Sequence, residues 1–190
     1  MALSYDSSDA DQEIQSTEHP AESEAQVGEH LQGLVQPGRR LGGKPVINIE
    51  TGEKMGEVSS LFFDSGAMRV AAVAVSRGSL LNRETEILRG SDIKVWGVDV
   101  ILARRGEEVL PSESDAWLKA SQIKGRYVVS QAGERIGQLA DVYIDNEGRV
   151  AGYELSQVFV DSPLKDSKFI PAQATNSMGK DVLVVDSSRL

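Results

Sequence analysis

The sequence predicts an all-β protein: two small β-barrels in tandem, joined by a short helical linker and preceded by a disordered acidic tail. Three observations predict it. From Leu41 onward, short runs rich in β-branched residues alternate with glycine-containing and charged turns. The pattern occurs twice, Gly52-Glu53-Lys54-Met55-Gly56-Glu57-Val58 being answered 81 residues later by Gly133-Glu134-Arg135-Ile136-Gly137-Gln138-Leu139. The first 36 residues hold eight acids, no base and few large apolar groups.

The tail, assigned to 1–38, cannot bury enough surface to offset its ordering entropy. Within it Val27, Leu31, Leu34 and Val35 lie at helical spacing, so a short helix forming on a partner or on the protein's own body is the alternative. The first barrel is assigned to 39–103, with strands predicted over residues 45–49, 55–64, 68–77, 85–88 and 98–102. The linker, 104–121, breaks the β pattern. Ser112 or Ser114 can cap a short helix that runs through Leu118. The second barrel is assigned to 122–188, with strands over 126–130, 136–145, 149–157, 167–170 and 181–185.

The repeat extends beyond the glycine cluster. Gly43-Lys44-Pro45-Val46-Ile47 matches Gly125-Arg126-Tyr127-Val128-Val129, and Val70–Ser76 matches Val150–Ser156. In both copies the apolar phase slips, between Val58 and Leu61 and between Leu139 and Val142. A slip in a period-two strand implies a bulge, which a small barrel needs in order to close. Val73, Val75, Tyr153 and Leu155 then face the core, while Ala74 and Glu154 face out. Gly52, Gly133 and Gly148 are assigned to tight turns with positive φ, and Gly56 and Gly137 to strand positions that coil at barrel closure.

These residues carry a resemblance. Leu-x-Gly-Lys/Arg-x-Val-Ile/Val, then Gly-Glu-x-Met/Ile-Gly-x-Val/Leu, an Asp-ended strand, a turn and a second apolar strand resemble the PRC-barrel family across residues 40–103 and 122–186. Phe169-Ile170-Pro171 and the Gly-x-Asp-Val pattern near each copy's end fit it too. The resemblance implies compact barrels of about 80 residues that act as assembly or adaptor modules without shared catalytic residues. Its known settings include the cytoplasmic domain of the photosynthetic reaction centre H subunit and the C-terminal domain of the ribosome maturation factor RimM. This sequence contains neither the H subunit's transmembrane helix nor RimM's preceding domain, which disfavours literal identity with either.

Chemistry is sparse. There is no cysteine, and the two histidines, His19 and His30, are in the tail, which removes thiolate, Ser-His-Asp and common zinc machinery from the barrels. Asp141–Gly148 superficially resembles a calcium loop but lacks its oxygen spacing, and Asp145-Asn146-Glu147-Gly148 is a hairpin turn. Net charge is −9, yet the 154 residues after the tail carry 21 acids against 20 bases, a poor footprint for direct nucleic-acid contact. No secretion signal or membrane span is evident, so a cytoplasmic protein without membrane insertion is expected.

The expected function is therefore a non-enzymatic, cofactor-free adaptor that binds a protein partner, in a photosynthetic or other membrane-associated complex, with self-association a further option. The competing expectation is a ribosome-associated maturation factor acting through a ribosomal protein. Candidate partner contacts are Arg39, Arg40, Arg104, Arg105, Trp96 and Trp117, the arginine pairs also being able to hold the acidic tail.

Overall fold

The computed structural model describes residues 35–64, 66, 68–79, 82–105 and 116–190. The tail up to residue 34, with both histidines, and linker residues 106–115, with Ser112 and Ser114, lie outside the described residues.

The described chain begins with a two-residue strand, β1 (Gln36–Pro37), and a 3-10 turn, Gly38–Arg40. The first barrel follows as β2 (Pro45–Asn48), β3 (Lys54–Phe63), β4 (Val70–Ser79), β5 (Asn82–Arg89), β6 (Ile93–Trp96) and β7 (Ile101–Ala103). Next come β8 (Leu118–Lys119) and the single-turn helix α1 (Ala120–Ile123). The second barrel comprises β9 (Tyr127–Ser130), β10 (Arg135–Ile144), β11 (Val150–Val158), the short helix α2 (Leu164–Ser167), β12 (Phe169–Pro171), β13 (Thr175–Met178) and β14 (Val182–Val185).

The two sheets have the same topology. Their neighbour orders are β5-β4-β3-β2-β7-β6 and β12-β11-β10-β9-β14-β13. Each copy's first and last strands pair in parallel, β2 with β7 and β9 with β14. The remaining neighbours are antiparallel, with Gly52, Gly133 and Gly148 in the turns between β2 and β3, β9 and β10, and β10 and β11. The predicted bulge is present in both copies. Val58 pairs with Val75 and Ser60 with Ala74, leaving Ser59 extra. Leu139 pairs with Leu155 and Asp141 with Glu154, leaving Ala140 extra.

Two predicted assignments change. Gln36 and Pro37, placed in the tail by sequence, pair with Ile144 and Tyr143 of β10. Leu118, placed at the end of the linker helix, is extended and pairs with Phe63, and the helical turn starts two residues later. In both cases tertiary pairing decides the conformation of a stretch too short to show a period.

Those two strands join the halves reciprocally. β1 precedes the first barrel but extends the sheet of the second, and β8 precedes the second barrel but extends the sheet of the first. The exchange is repeated in detail. Val35 packs with Tyr143 and Phe169 on the second barrel. Its counterpart Trp117 packs on Phe62, the counterpart of Tyr143, with ring centroids 5.9 Å apart. Between the barrels the Val70 amide donates to the Gly148 carbonyl and the Val150 amide to the Met68 carbonyl, each at 2.9 Å. One apolar core consequently runs through both halves, from Val46, Leu61 and Ile101 to Leu139, Tyr153 and Leu183, with Leu41 and Ile123 buried at equivalent positions.

The exchange also explains a departure from strict alternation. Val73, Val75, Tyr153 and Leu155 are buried as predicted. Ala74, predicted to face out, is buried in a second small cluster with Phe62, Ala72, Ile87 and Trp117, and Glu154 is half-covered. The arm from the other half lies over the face that an isolated barrel would show to water.

Candidate functional site

Two places concentrate side chains that a simple barrel has no need for: the joint between the halves and a groove on the second barrel.

At the joint, Arg39 follows β1 and reaches the second barrel. Its Nη1 lies 3.0 Å from Asp141 Oδ2 and 2.5 Å from Glu154 Oε2, and its amide donates to the same Asp141 oxygen at 3.1 Å. Burial works against the charge on Arg39, but the Glu154 hydrogen bond and the Glu154 and Asp141 charges together outweigh it and raise its pKa. The other half of the joint cannot repeat this ion pair, since Ser121, Ser60 and Ala74 occupy the positions equivalent to Arg39, Asp141 and Glu154, and its charge, Lys119, lies over the Phe62 ring instead. Trp96 ends β6 with its indole over the Gly148 turn of the second barrel, where a Cβ on Gly148 would come within 2.6 Å of the ring nitrogen. The Gln36 carboxamide donates to the carbonyls of Trp96 and Gly97 at 3.2 and 3.3 Å, and Lys44 Nζ donates to Gln36 Oε1 and the Gly97 carbonyl. Burial lowers the Lys44 pKa despite the nearby Asp99. Arg126, the counterpart of Lys44, donates to the Gly179 carbonyl, so each copy clips the turn before its last strand with a cation.

The structure thus places Arg39, Trp96 and Trp117 in contacts within the chain. Arg104 and Arg105 are paired with acids of the first barrel, Glu50 at 3.0 Å and Glu86 at 2.8 Å, and Arg40 is exposed. Gly52, Gly133 and Gly148 have φ of 71°, 82° and 75°, the left-handed region assigned to them. Gly56 and Gly137 serve close approach: a Cβ would come within 2.6 Å of the Ser76 carbonyl oxygen at the first and 2.4 Å of the Gln157 carbonyl oxygen at the second. The Asp145 carboxylate is engaged by its own turn. One oxygen accepts from the amides of Glu147 and Arg149, the other from the Arg149 guanidinium. Among the described residues no three Asp, Glu or His side chains come together as a metal-binding group.

The groove arises where the copies diverge. In the first barrel β4 pairs with the long strand β5 along its length, from Ala72 with Arg89 to Ser79 with Asn82. The second copy is two residues longer between Ser156 and Ile170 than the first is between Ser76 and Leu88. Pro163, with no amide to donate to a ladder, starts the helical turn α2, and Lys168, in the left-handed region at φ 47°, ends it. The remaining strand, β12, has three residues. The shortened sheet leaves an open groove of about 910 Å3, floored by Ile136, Leu164, Phe169 and Pro171 and edged by Val160 and Leu190. Beside it Phe159 and Tyr127 are exposed, with ring centroids 6.4 Å apart. Sequence reasoning passed over this groove. The available signal was the insertion, which holds Phe159, Val160 and Leu164 in a segment that reads as an ordinary loop.

Comparison with known proteins agrees with this architecture. The sequence profile described as the PRC-barrel domain matches twice, over residues 37–109 and 118–190. Its second match starts at β8, so each match includes one of the exchanged strands or its edge. The chain is also 31% identical over 127 residues to the uncharacterised protein YrrD of Bacillus subtilis strain 168, an overlap of 66% of this chain and 72% of YrrD.

Proposed function

The chain belongs to the PRC-barrel family, and from that premise we propose that it is a non-enzymatic adaptor whose fused barrels present a protein-binding surface. Domains of this family often mediate protein interactions. The observation that carries the reading is the groove on the second barrel. Apolar side chains line an open concavity beside exposed aromatic rings, the kind of surface that marks an interaction site. The joint supports it differently: Arg39, Trp96, Gln36 and Lys44 tie the halves together, so the groove belongs to a surface built from both barrels as one joined body. The finer reading places this adaptor in a photosynthetic or other membrane-associated complex.

Affinity purification of the full chain from its native source, followed by mass spectrometry, tests the proposal. A reproducible protein partner, reduced by Phe159→Ser, is expected. No reproducible partner, together with a free monomer pool at native concentration, would overturn it. Salt-sensitive co-sedimentation with ribosomal particles would move the setting to ribosome assembly.

A further inference from the structure

We propose that the occupant of the groove is a basic polypeptide segment that anchors an apolar side chain beside α2 and sets its Lys or Arg residues against the groove's carboxylates. This rests on reading the protein as a partner-binding module and adds the chemistry of the partner. Glu134, Asp161 and Asp166 line the groove, and no Lys or Arg among the described residues does. Asp161 is paired with Lys165 at 2.8 Å, whereas Glu134 and Asp166 are exposed and have no ion-pair partner among the described residues. The floor is apolar, and Ser162, also lining the groove, has a buried hydroxyl without a hydrogen-bond partner among the described residues. An extended segment can therefore find an apolar anchor site and two uncompensated charges within one concavity.

Charge also decides between occupants. The chain's own candidates are residues 1–34 and 106–115. The first carries eight acids and no base, and the second carries Glu107, Glu108, Glu113 and Asp115 with no base. Either would bring like charge to Glu134 and Asp166. A second copy offers a body of 21 acids against 20 bases, with no excess of positive charge to meet Glu134 and Asp166.

The test uses the full chain and a fluorescein-labelled octapeptide, Lys-Leu-Phe-Lys-Leu-Arg-Lys-Phe, read by anisotropy at low and high salt. Binding is expected, weakened at least tenfold by the double variant Glu134→Lys, Asp166→Lys and several-fold by Phe159→Ser. These positions are exposed, so the variants should fold, as circular dichroism would verify. The same peptide with Glu at its Lys and Arg positions should not bind. Unchanged affinity in the double variant would place the cationic peptide on the acidic tail and overturn the proposal. So would equal binding of the two peptides, or displacement by spermine at matching charge concentration. Displacement by a peptide of residues 1–34, or concentration-dependent dimerisation lost in Phe159→Ser, would assign the groove to the chain itself or to a second copy, against the proposal. A native partner captured equally well by wild type and double variant would overturn this inference while leaving the adaptor reading intact. Failure to capture any partner would count against the adaptor reading.

Discussion

At the scale of single residues, the glycines of the repeat divide by mechanism. Gly133 has φ 82° with open space around its Cα, so Gly133→Ala meets no atom but forces an L-residue into the left-handed region, at a cost of about 1 kcal/mol. Gly137 lies against the paired strand, and a Cβ would sit 2.4 Å from the Gln157 carbonyl oxygen, which is backbone and cannot swing aside. Gly137→Val should therefore cost more, about 2–3 kcal/mol, through collision. Urea denaturation of both variants checks the order, and a Gly133→Ala variant less stable than Gly137→Val would show the assignment to be wrong. Asp145 gives a pH prediction. Burial alone would raise its pKa, but hydrogen bonds from the Arg149 side chain and the Arg149 and Glu147 amides, with the Arg149 charge, hold it below its ordinary 3.8. A carboxyl with a depressed folded-state pKa contributes stability that is present above the unfolded value and lost as pH falls through the folded one. Wild type should be more stable than Asp145→Asn near neutral pH, and the difference should shrink between about pH 5 and pH 2. Melting curves that stay parallel over that range would remove Asp145 from the acid response.

At the scale of elements, the exchanged arm depends on a salt bridge present in one half only. Arg39 is 43% exposed at its side chain, but its partners Asp141 and Glu154 are 15% and 14% exposed, so removing the guanidinium leaves two half-buried carboxylates together. The expected cost of Arg39→Ala is about 1–2 kcal/mol, below that of a fully buried pair because Arg39 is nearly half in water. Glu154→Gln should recover part of it by removing one of the orphaned charges. A double variant no more stable than Arg39→Ala would show that the arginine acts through packing. The same arm marks what was legible in the sequence. Long strands such as β3, β4, β10 and β11 were readable because alternation repeats over several residues in two copies, and even their bulges showed as phase slips. β1 and β8 were not, since a two-residue strand has no period and its conformation comes from the barrel it joins. β13 was missed because Thr175-Asn176-Ser177 reads as a loop, and the groove because an insertion carries no sign of the concavity it opens.

At the scale of the molecule, the question is whether two family domains behave as two. Each profile match alone would suggest a barrel that folds by itself, yet the apolar core is continuous across both, each half carries a strand in the other's sheet, and the halves exchange hydrogen bonds at Val70 and Val150. Separating them would uncover Phe62, Tyr143, Ala74 and Trp96, all buried in the intact chain. The body should therefore unfold in one cooperative step. Leu183→Ala tests this, because Leu183 is fully buried on β14 of the second barrel while both tryptophans belong to the first half and its joint. The substitution should cost about 2–5 kcal/mol. If the halves are one unit, tryptophan fluorescence and far-ultraviolet circular dichroism shift to the same lower midpoint in urea. If they are independent, fluorescence keeps its wild-type midpoint while circular dichroism splits in two. Coincident shifts would mean that a ligand bound in the groove stabilises both barrels against unfolding, through the same joint that makes the two barrels one unit.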